Sequence, residues 1–335
     1  MTRMRRILSA GLLALMTLSL LPALAPPAGA VEVHGDGYWS WLRGNRADVS
    51  PATQGGAMLE GGRSDRKPAW EWFLDHAGYG DIVIICATCT EVYDSYVMNT
   101  ADVDSVQTLK ITKRRATSDP FVVDSVANAE GIFFAGGDQS DYVRVWRNTP
   151  VSDAIQSVID RGGVVGGISA GLAIVGGYVF SAEKNTITSD KALADCFDMK
   201  ITLRDDVLAV PGLARTVTDS HFTERGRLGR SLVFMARAIT DGWTTDARGL
   251  GIDESTAVLL EADGSASVIG QGTASFSRMA ADDVLTCEPA TPLSTGPVDV
   301  SVVPRGGSFD VSTWTGDPAD HHVVRVTDGV LSWDS

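Results

Sequence analysis

The sequence predicts an α/β fold with a mostly parallel sheet covered by helices on both faces and followed by a small β-rich C-terminal extension. Between residues 67 and 169, short continuous apolar runs alternate with segments of helical spacing, which is typical of buried parallel strands joined by helices. Beyond residue 286 the composition shifts towards Pro, Ser, Thr and Val, with apolar residues at every second position. We therefore expect one α/β domain over 31–285 and an extension over 286–335.

The elements of the first half follow in order after a glycine-rich stretch at 54–62, where we expect the core to begin. Each strand is assigned from a short apolar run and each helix from apolar residues three and four positions apart. The predicted elements are a helix over 67–77, a strand over 82–86, a strand over 106–111, a helix over 120–129, a strand over 132–135, helices near 141–147 and 151–161, and a strand that ends at Ser169.

The second half is less regular. Residues 178–208 show no clear period and are predicted to cross over a pocket as a long excursion. The predicted elements that follow are a strand over 213–217, a helix over 223–239, and a β-hairpin of 249–260 with 265–269 around an Asp263-Gly264 turn.

The N-terminus has the features of a secretory signal peptide. Three arginines within the first six residues precede an apolar run over 7–24, and Ala28-Gly29-Ala30 offers small residues for cleavage. We predict a signal peptide over 1–30, cleavage near Ala30 and secretion. A membrane anchor is the alternative, which the prolines at the end of the run disfavour.

The net charge of the chain argues against two classes of binding partner, nucleic acids and anionic membranes. Removal of three arginines and no acid with the signal peptide changes the formal net charge from −14 to −17. Such an acidic chain repels nucleic acid and anionic membrane surfaces, so neither is an expected partner.

The chain contains four cysteines, Cys86, Cys89, Cys196 and Cys287. We expect them to pair in an exported chain, with a connectivity that stays open. A redox pair at 86–89 is a weaker alternative, and no metal or other cofactor is expected.

The run from Gly167 to Gly171 reads G-x-S-x-G and follows an apolar strand. A serine on such a tight strand-to-helix turn has its hydroxyl lifted clear of the sheet, and flanking glycines leave room for the neighbouring chain. Ser169 is therefore a candidate nucleophile. A glycine-rich turn with an incidental serine is the alternative, so the chain must also supply a base, an acid and an oxyanion site.

His221 is the best-placed base among the five histidines, because it lies at a predicted strand-to-helix junction in the second half of the sheet. A capping or core histidine is the alternative. The orienting carboxylate is expected from Asp253-Glu254 at a strand end, where only one of the two side chains can face the pocket. Asp219 is the rival.

An oxyanion site needs backbone N–H groups where negative charge develops. The amide of Ala170 and one amide from the Gly136-Gly137-Asp138 turn would converge there if the two preceding strands are neighbours. Phosphate binding at the glycine pair is disfavoured, because neither a dinucleotide-binding nor a Walker pattern is present.

Taken together, these segments resemble the cyanophycinase-like serine peptidases, a group that also contains the aspartyl dipeptidase called peptidase E. The segments occur in the family's order within residues 54–270. They are 133–139, 167–171, 219–222 with the arginines at 225, 227 and 230, and 251–257.

The resemblance implies a class I glutamine amidotransferase-like, flavodoxin-like sheet and a triad of Ser169, His221 and Glu254. It also implies an oxyanion hole formed by the amides of Gly137 and Ala170, and it suggests a homodimer. The residues implied to line the substrate pocket are Asp138, Gln139, Asp219, Arg225, Arg227 and Arg230.

We therefore expect an exported serine peptidase that cleaves peptide or isopeptide bonds beside aspartate through an acyl-enzyme on Ser169. Cyanophycin, an arginine-decorated polyaspartate, and aspartyl dipeptides are the expected substrates. Ser220 stands where the family often has Gln before the histidine, which removes a long amide donor. A dipeptidase or amidase for other aspartyl compounds and a non-catalytic binding protein of the same fold are the alternatives.

Overall fold

The computed structural model describes residues 30–63, 67–89, 92–281 and 284–334. The predicted signal peptide lies outside the described residues, apart from Ala30. The described chain forms a large sheet and a smaller one, with helices packed on both.

The strands of the described residues are, in chain order, β1 (Val31–Gly35), β2 (Tyr38–Gly44), β3 (Ala57–Glu60), β4 (Asp81–Cys86), β5 (Ser105–Ile111), β6 (Gly131–Phe134), β7 (Val164–Ile168), β8 (Val179–Phe180), β9 (Leu203–Arg204), β10 (Thr216–Asp219), β11 (Asp246–Ile252), β12 (Thr256–Leu260), β13 (Ser265–Gly270), β14 (Thr273–Ala280), β15 (Thr295–Pro304), β16 (Ser308–Asp310), β17 (Thr315–Asp317), β18 (Asp320–Thr327) and β19 (Val330–Asp334).

The helices of the same residues are α1 (Lys67–His76), α2 (Val92–Met98), α3 (Pro120–Ala127), α4 (Gln139–Trp146), α5 (Pro150–Asp160), α6 (Ala170–Ala173), α7 (Ser189–Ala194) and α8 (Leu228–Thr240), with a 3₁₀ helix at Arg114–Ser118. Within the described ranges, none of these helices is both long enough and apolar enough to cross a membrane.

The larger sheet has the order β1-β2-β5-β4-β6-β7-β3-β12-β13-β16-β17. Its central strands β5, β4, β6, β7 and β3 are all parallel, and antiparallel strands extend it on both sides. The predicted α/β fold with a parallel central sheet and a β-rich C-terminal region is confirmed.

Helices cover both faces of the parallel strands, because successive side chains point to opposite sides. Ile82 and Ile84 of β4 pack in one cluster with Trp70 and Phe73 of α1. The intervening side chains of β4 face a second cluster that contains residues of α3, α4 and α5. Both faces are therefore apolar and buried, as the continuous apolar runs predicted.

The smaller sheet has the order β10-β11-β14-β15-β18-β19, and α7 and α8 cover one of its faces. The other face packs towards the larger sheet. There Phe276 of β14 stacks on Phe309 of β16, with ring centroids 3.7 Å apart. The two sheets thus share one apolar core.

The residues after 286 pair with both sheets. Strands β15, β18 and β19 continue the smaller sheet beyond β14, whereas β16 and β17 continue the larger sheet beyond β13. The boundary at residue 286 stays a prediction, since the described chain shows continuous pairing across it.

Several elements differ from the predicted ones for local reasons. The strand predicted over 249–260 is two strands in different sheets, because Ser255 adopts a φ of 56° and breaks the extended backbone. The helix predicted from 223 begins at Leu228, because the backbone forms turns up to Arg227. The predicted excursion over 178–208 contains α7 and the short pair β8–β9, and β1 to β3 lie where no strand was assigned.

A disulfide joins Cys86 to Cys89. Cys196 and Cys287 are buried thiols that contact each other, and the hydrogen bond between them raises the pKa of Cys196. Pairing of these two cysteines as a second disulfide stays a prediction.

We predict that Phe309→Ala destabilises the whole molecule and not the C-terminal residues alone. Phe309 is 2% exposed and fills the space between the sheets, so its removal should cost about 3–5 kcal/mol. Thermal unfolding followed by circular dichroism should show a single transition at lower temperature.

The matched control is Val330→Ala on the edge strand β19, where the side chain is 68% exposed and little change is expected. A separate early transition in Phe309→Ala, with the main transition unshifted, would mean that the extension folds independently.

Candidate active site

The carboxyl ends of β4, β6, β7 and β3 meet at one edge of the larger sheet, where open α/β sheets bind ligands. Ser169 lies between the end of β7 and the start of α6, with φ 55° and ψ −112°. A non-glycine residue rarely adopts this backbone conformation. The turn therefore holds the serine in a strained geometry that leaves it half-buried at the sheet edge.

The glycines on either side of this turn are required by close packing. A Cβ on Gly167 would lie 2.5 Å from the carbonyl carbon of Gly171, and a Cβ on Gly171 would lie 2.0 Å from the carbonyl oxygen of Phe134. No side chain fits at such distances. The pattern G-x-S-x-G thus reflects the tight approach of α6 to β6 and β7.

The hydroxyl of Ser169 lies 2.7 Å from Nε2 of His221. His221 follows β10 at a φ of 46°, and its backbone N–H donates to the carbonyl of Gly61 over 2.8 Å. A Cβ on Gly62 would lie 2.4 Å from the imidazole Cε1. The ring is therefore held against the backbone that follows β3.

Nδ1 of His221 lies 2.8 Å from Oε1 of Glu254. The other carboxylate oxygen of Glu254 accepts a hydrogen bond from Arg63 over 3.2 Å. Asp253 points elsewhere and accepts hydrogen bonds from the backbone N–H groups of Thr223 and Thr273. Of the two adjacent carboxylates, Glu254 contacts the histidine and Asp253 holds the surrounding backbone.

The protonation state of the histidine follows from its surroundings. Burial lowers the pKa of His221 below its ordinary value of 6.5, the hydrogen bond to Glu254 raises it, and the positive charges of Arg225 and Arg227 lower it further. The hydrogen bond from His221 holds the pKa of Glu254 below 4.5, with a further contribution from Arg63. At neutral pH the pair is thus a neutral imidazole beside a carboxylate.

The turn after β6 lies beside the serine. A Cβ on Gly136 would lie 3.6 Å from the Cβ of Ser169, and Gly137 has a φ of 146° that favours glycine. In the part of the chain that the structure describes, the backbone N–H groups of Gly137 and Ala170 have no hydrogen-bond acceptor. Both amides are free to bind a ligand oxygen.

A cleft of about 420 Å³ opens on this turn. It contains most of the residues that the sequence assigned to substrate binding, together with a wall from the segment that precedes α7. The lining residues are Gly137, Asp138, Gln139, Ala182, Asn185, Thr186, Ile187, Thr188, Ser189, Arg225, Arg227 and Arg230.

Asp219 lies behind the cleft and not on its wall. It is buried and pairs with Nε and Nη2 of Arg230 over 2.7 and 2.6 Å, and with Arg227 over 2.9 Å. The remaining nitrogen of Arg230 donates to the hydroxyl of Thr186 and the carbonyl of Ile187. Arg230 thereby fastens the cleft wall to α8.

Arg225 is exposed, and among the described residues its guanidinium has no hydrogen-bond or ion-pair partner. Burial lowers the pKa of Arg227 to about 10, so this guanidinium also remains charged at neutral pH. Asp138 caps α4 by accepting from the N–H of Ser140. The free positive charge in the cleft is therefore centred on Arg225, with Arg227 beside it.

Two contributions were missed from the sequence, and Ser220 lies elsewhere than expected. The glycine-rich stretch before residue 63 was singled out, but its backbone contact with His221 was not expected. No sequence pattern indicated that Arg63 would donate a hydrogen bond to Glu254. Ser220, expected beside the substrate, is buried, and its hydroxyl and carbonyl accept from Arg227.

The model of peptidase family S51 matches residues 86–268 of this sequence, which is more than half of the chain. The chain belongs to peptidase family S51. The resemblance to the cyanophycinase and peptidase E group is confirmed.

Two relatives to which this chain is similar are called cyanophycinase. That of Nostoc sp. strain PCC 7120 is 30% identical over 172 residues, which cover 51% of this chain and 52% of the relative. That of Geminocystis herdmanii is 25% identical over 227 residues, covering 64% and 78%. The chain thus spans about half the length of the first of these relatives. A solved peptidase from an acI-B1 Actinobacterium aligns with a TM-score of 0.49 at 17% identity, covering 77% of this chain and 97% of that one.

We predict that Asp219→Ala is strongly destabilising. It leaves the guanidinium of Arg230, which is 3% exposed, buried without its carboxylate, at a cost of about 3–5 kcal/mol. Chemical denaturation gives the free energy of unfolding.

Arg225→Ala is the matched control, since removal of an exposed and unpaired side chain should change stability by at most about 0.5 kcal/mol. Equal destabilisation by both substitutions would contradict the buried ion-pair network.

Proposed function

We propose that this member of family S51 is a serine peptidase with Ser169 as nucleophile, His221 as general base and Glu254 as the acid that orients the base. One observation carries the proposal. The distances of 2.7 Å from Ser169 to Nε2 and 2.8 Å from Nδ1 to Glu254 place the three side chains in one hydrogen-bonded row.

The proton positions follow from the donors and acceptors available. An ionised carboxylate can only accept, so Nδ1 of His221 carries the proton and Nε2 presents a lone pair to the Ser169 hydroxyl. As Oγ attacks the substrate carbonyl, Nε2 takes the hydroxyl proton. The imidazolium then gives this proton to the leaving amine, and an acyl-enzyme on Ser169 remains until water attacks it in the same way.

The carbonyl oxygen of the substrate gains negative charge during each attack. In the proposed mechanism the N–H groups of Gly137 and Ala170 donate to this oxygen. The proximity of Gly136 to Ser169 supports that role, as does the lack of an acceptor for either amide among the described residues. Donors fixed in advance stabilise the developing charge without reorganisation at the moment of reaction.

We propose that the substrate carries aspartyl carboxylates, as cyanophycin or an aspartyl dipeptide does. The exposed guanidinium of Arg225 in the cleft supports this class, because arginine offers paired donors to a carboxylate and stays charged. The relatives called cyanophycinase support it from their sequence similarity.

We also propose that the protein is exported, with cleavage near Ala30. The charged and apolar pattern of the first 30 residues supports export. The disulfide between Cys86 and Cys89 agrees with an oxidising compartment, in which such bonds form and persist.

The central test is Ser169→Ala assayed on cyanophycin, a β-aspartyl-arginine dipeptide and α-aspartyl dipeptides. Loss of the nucleophile should lower kcat by about 10⁴-fold or more on whichever substrate the parent cleaves. Ser157→Ala on α5, whose side chain does not line the cleft, is the control and should keep full activity.

Polymer and dipeptide turnover by the parent distinguish the two substrate classes. Equal hydrolysis by parent and Ser169→Ala would rule out the assigned nucleophile. If the parent neither hydrolyses these compounds nor reacts with a fluorophosphonate probe, the protein is a binding member of the fold.

The pH dependence offers an independent prediction. The base must be neutral, so the rate of fluorophosphonate labelling should rise with pH through the pKa of His221, with a midpoint below 6.5. Arg225→Gln removes a nearby positive charge and should move that midpoint to higher pH. Labelling does not require an aspartyl substrate in the cleft, so the measured midpoint does not depend on how Arg225→Gln changes substrate binding.

Arg305→Gln serves as the control for this experiment, because Arg305 is exposed and lies outside the cleft. A midpoint that Arg225→Gln leaves in place, or moves to lower pH, would contradict the electrostatic effect of Arg225 on His221.

A further inference from the structure

The turn Cys86–Cys89 lies at the carboxyl end of β4, where the strand order of the larger sheet reverses. From β4 the chain continues to β5 on one side, whereas from β6 it continues to β7 on the other. Such a reversal opens a crevice between the two strands at their carboxyl ends. The disulfide that closes this turn is therefore a neighbour of the proposed catalytic site.

This turn lies close to the proposed oxyanion site. The backbone N–H of Ala135 donates to the carbonyl of Ile85 over 3.0 Å, so the two strand ends remain paired up to the turns. A Cβ on Gly137 would lie 3.5 Å from Oγ1 of Thr88. The Thr88 side chain thus lies next to Gly137, on the turn that lies beside Ser169.

A buried phenol reinforces the junction. The hydroxyl of Tyr142 on α4 donates to the carbonyl of Ala135 over 2.7 Å and lies 3.3 Å from the carbonyl of Ile85. Tyr142 is 2% exposed, so this bond is shielded from water. The Tyr142 hydroxyl therefore helps to hold the ends of β4 and β6 together. The two turns that follow these strands need further contacts to fix them.

Two successive glycines form a turn that needs external support. Gly137 adopts a φ of 146°, and glycine peptides rotate among conformations that other residues cannot reach. An oxyanion donor acts only when its N–H is fixed in the direction of the developing charge. Thr88 lies on the side of Gly137 where a Cβ would point, and the disulfide fixes Thr88 within a ring of four residues.

We propose that the disulfide-closed turn Cys86–Cys89 positions the backbone N–H of Gly137 for oxyanion stabilisation, so that turnover depends on the Cys86–Cys89 bond. The inference rests on the proposed serine peptidase function. The cysteines and Thr88 are positioning residues, since they act through Gly137. When the Cys86–Cys89 disulfide is broken, the Thr88 side chain can move away from Gly137, and the Gly136-Gly137 peptide can then rotate.

The test compares the purified protein in its oxidised form, after reduction by a dithiol, and after reoxidation. The dithiol gives two electrons and two protons to the Cys86–Cys89 bond, which yields two thiols and a cyclic disulfide of the reagent. The kcat, the KM and the rate of fluorophosphonate labelling are measured in each state, with near-ultraviolet circular dichroism as a check on the fold.

We expect reduction to lower kcat and the labelling rate by about 10- to 100-fold, since complete loss of an oxyanion donor costs about 10²–10³-fold. The KM should change little, and reoxidation should restore both rates. The double variant Cys86→Ala with Cys89→Ala should resemble the reduced protein and no longer respond to dithiol.

The matched control is the double variant Cys196→Ala with Cys287→Ala, which removes the buried thiols next to α7 and leaves Cys86–Cys89 in place. It should respond to reduction as the parent does. A response that disappears in this control would assign the effect to the other cysteines and overturn the inference.

Unchanged kcat and labelling in the reduced parent, or a rise in KM at constant kcat, would also overturn the inference while the peptidase function stands. An oxidised parent that neither hydrolyses aspartyl substrates nor labels would overturn the proposed function, and the inference with it.

Discussion

The break at Asp253–Ser255, where the chain leaves the smaller sheet and enters the larger one, is the constraint on which the candidate site depends. Glu254 projects from this break to His221, and Ser255 donates its N–H to the carbonyl of Gly62 over 2.8 Å. His221, at the end of the neighbouring β10, donates to Gly61. The proposed base and the proposed acid thus come from one sheet and the serine from the other. The hydrogen bonds to the two glycines after β3 hold these three side chains at fixed positions relative to one another.

The charges around the site are distributed so that the histidine stays neutral while the cleft remains positive. Asp219 neutralises the buried Arg230 and shares its charge with Arg227, which leaves Arg225 available at the surface. At physiological salt the excess acid elsewhere on the chain acts weakly beyond about 8 Å. A substrate of the proposed class, with both carboxylates and guanidinium groups, would therefore meet little net repulsion, and its carboxylates would find the guanidinium of Arg225 in the cleft.

The sequence was sufficient to predict the parallel strands, the two glycine-rich turns and the placement of Ser169 and His221 near strand ends, because each depends on local pattern. It left open whether Asp253, Glu254 or Asp219 faces the histidine, and the family resemblance selected Glu254. The contacts that decide this are tertiary. The pairing of Asp219 with Arg230 needs the turn at 221–227, and the strand break needs a positive φ at Ser255, a residue type with no preference for it.

Three residues of this site have strained backbone conformations. Ser169, His221 and Ser255 have φ values of 55°, 46° and 56°, each of which costs on the order of 1–3 kcal/mol for a residue with a side chain. Such conformations persist only where the surrounding structure holds them. For Ser255 and His221 the support comes from β11, and β11 is in turn held by β14, β15 and β18 on one side. Among the described residues, the C-terminal strands contribute no side chain to the cleft. They therefore act on the proposed chemistry indirectly, because they keep β11 rigid enough to hold the strained backbone at its end.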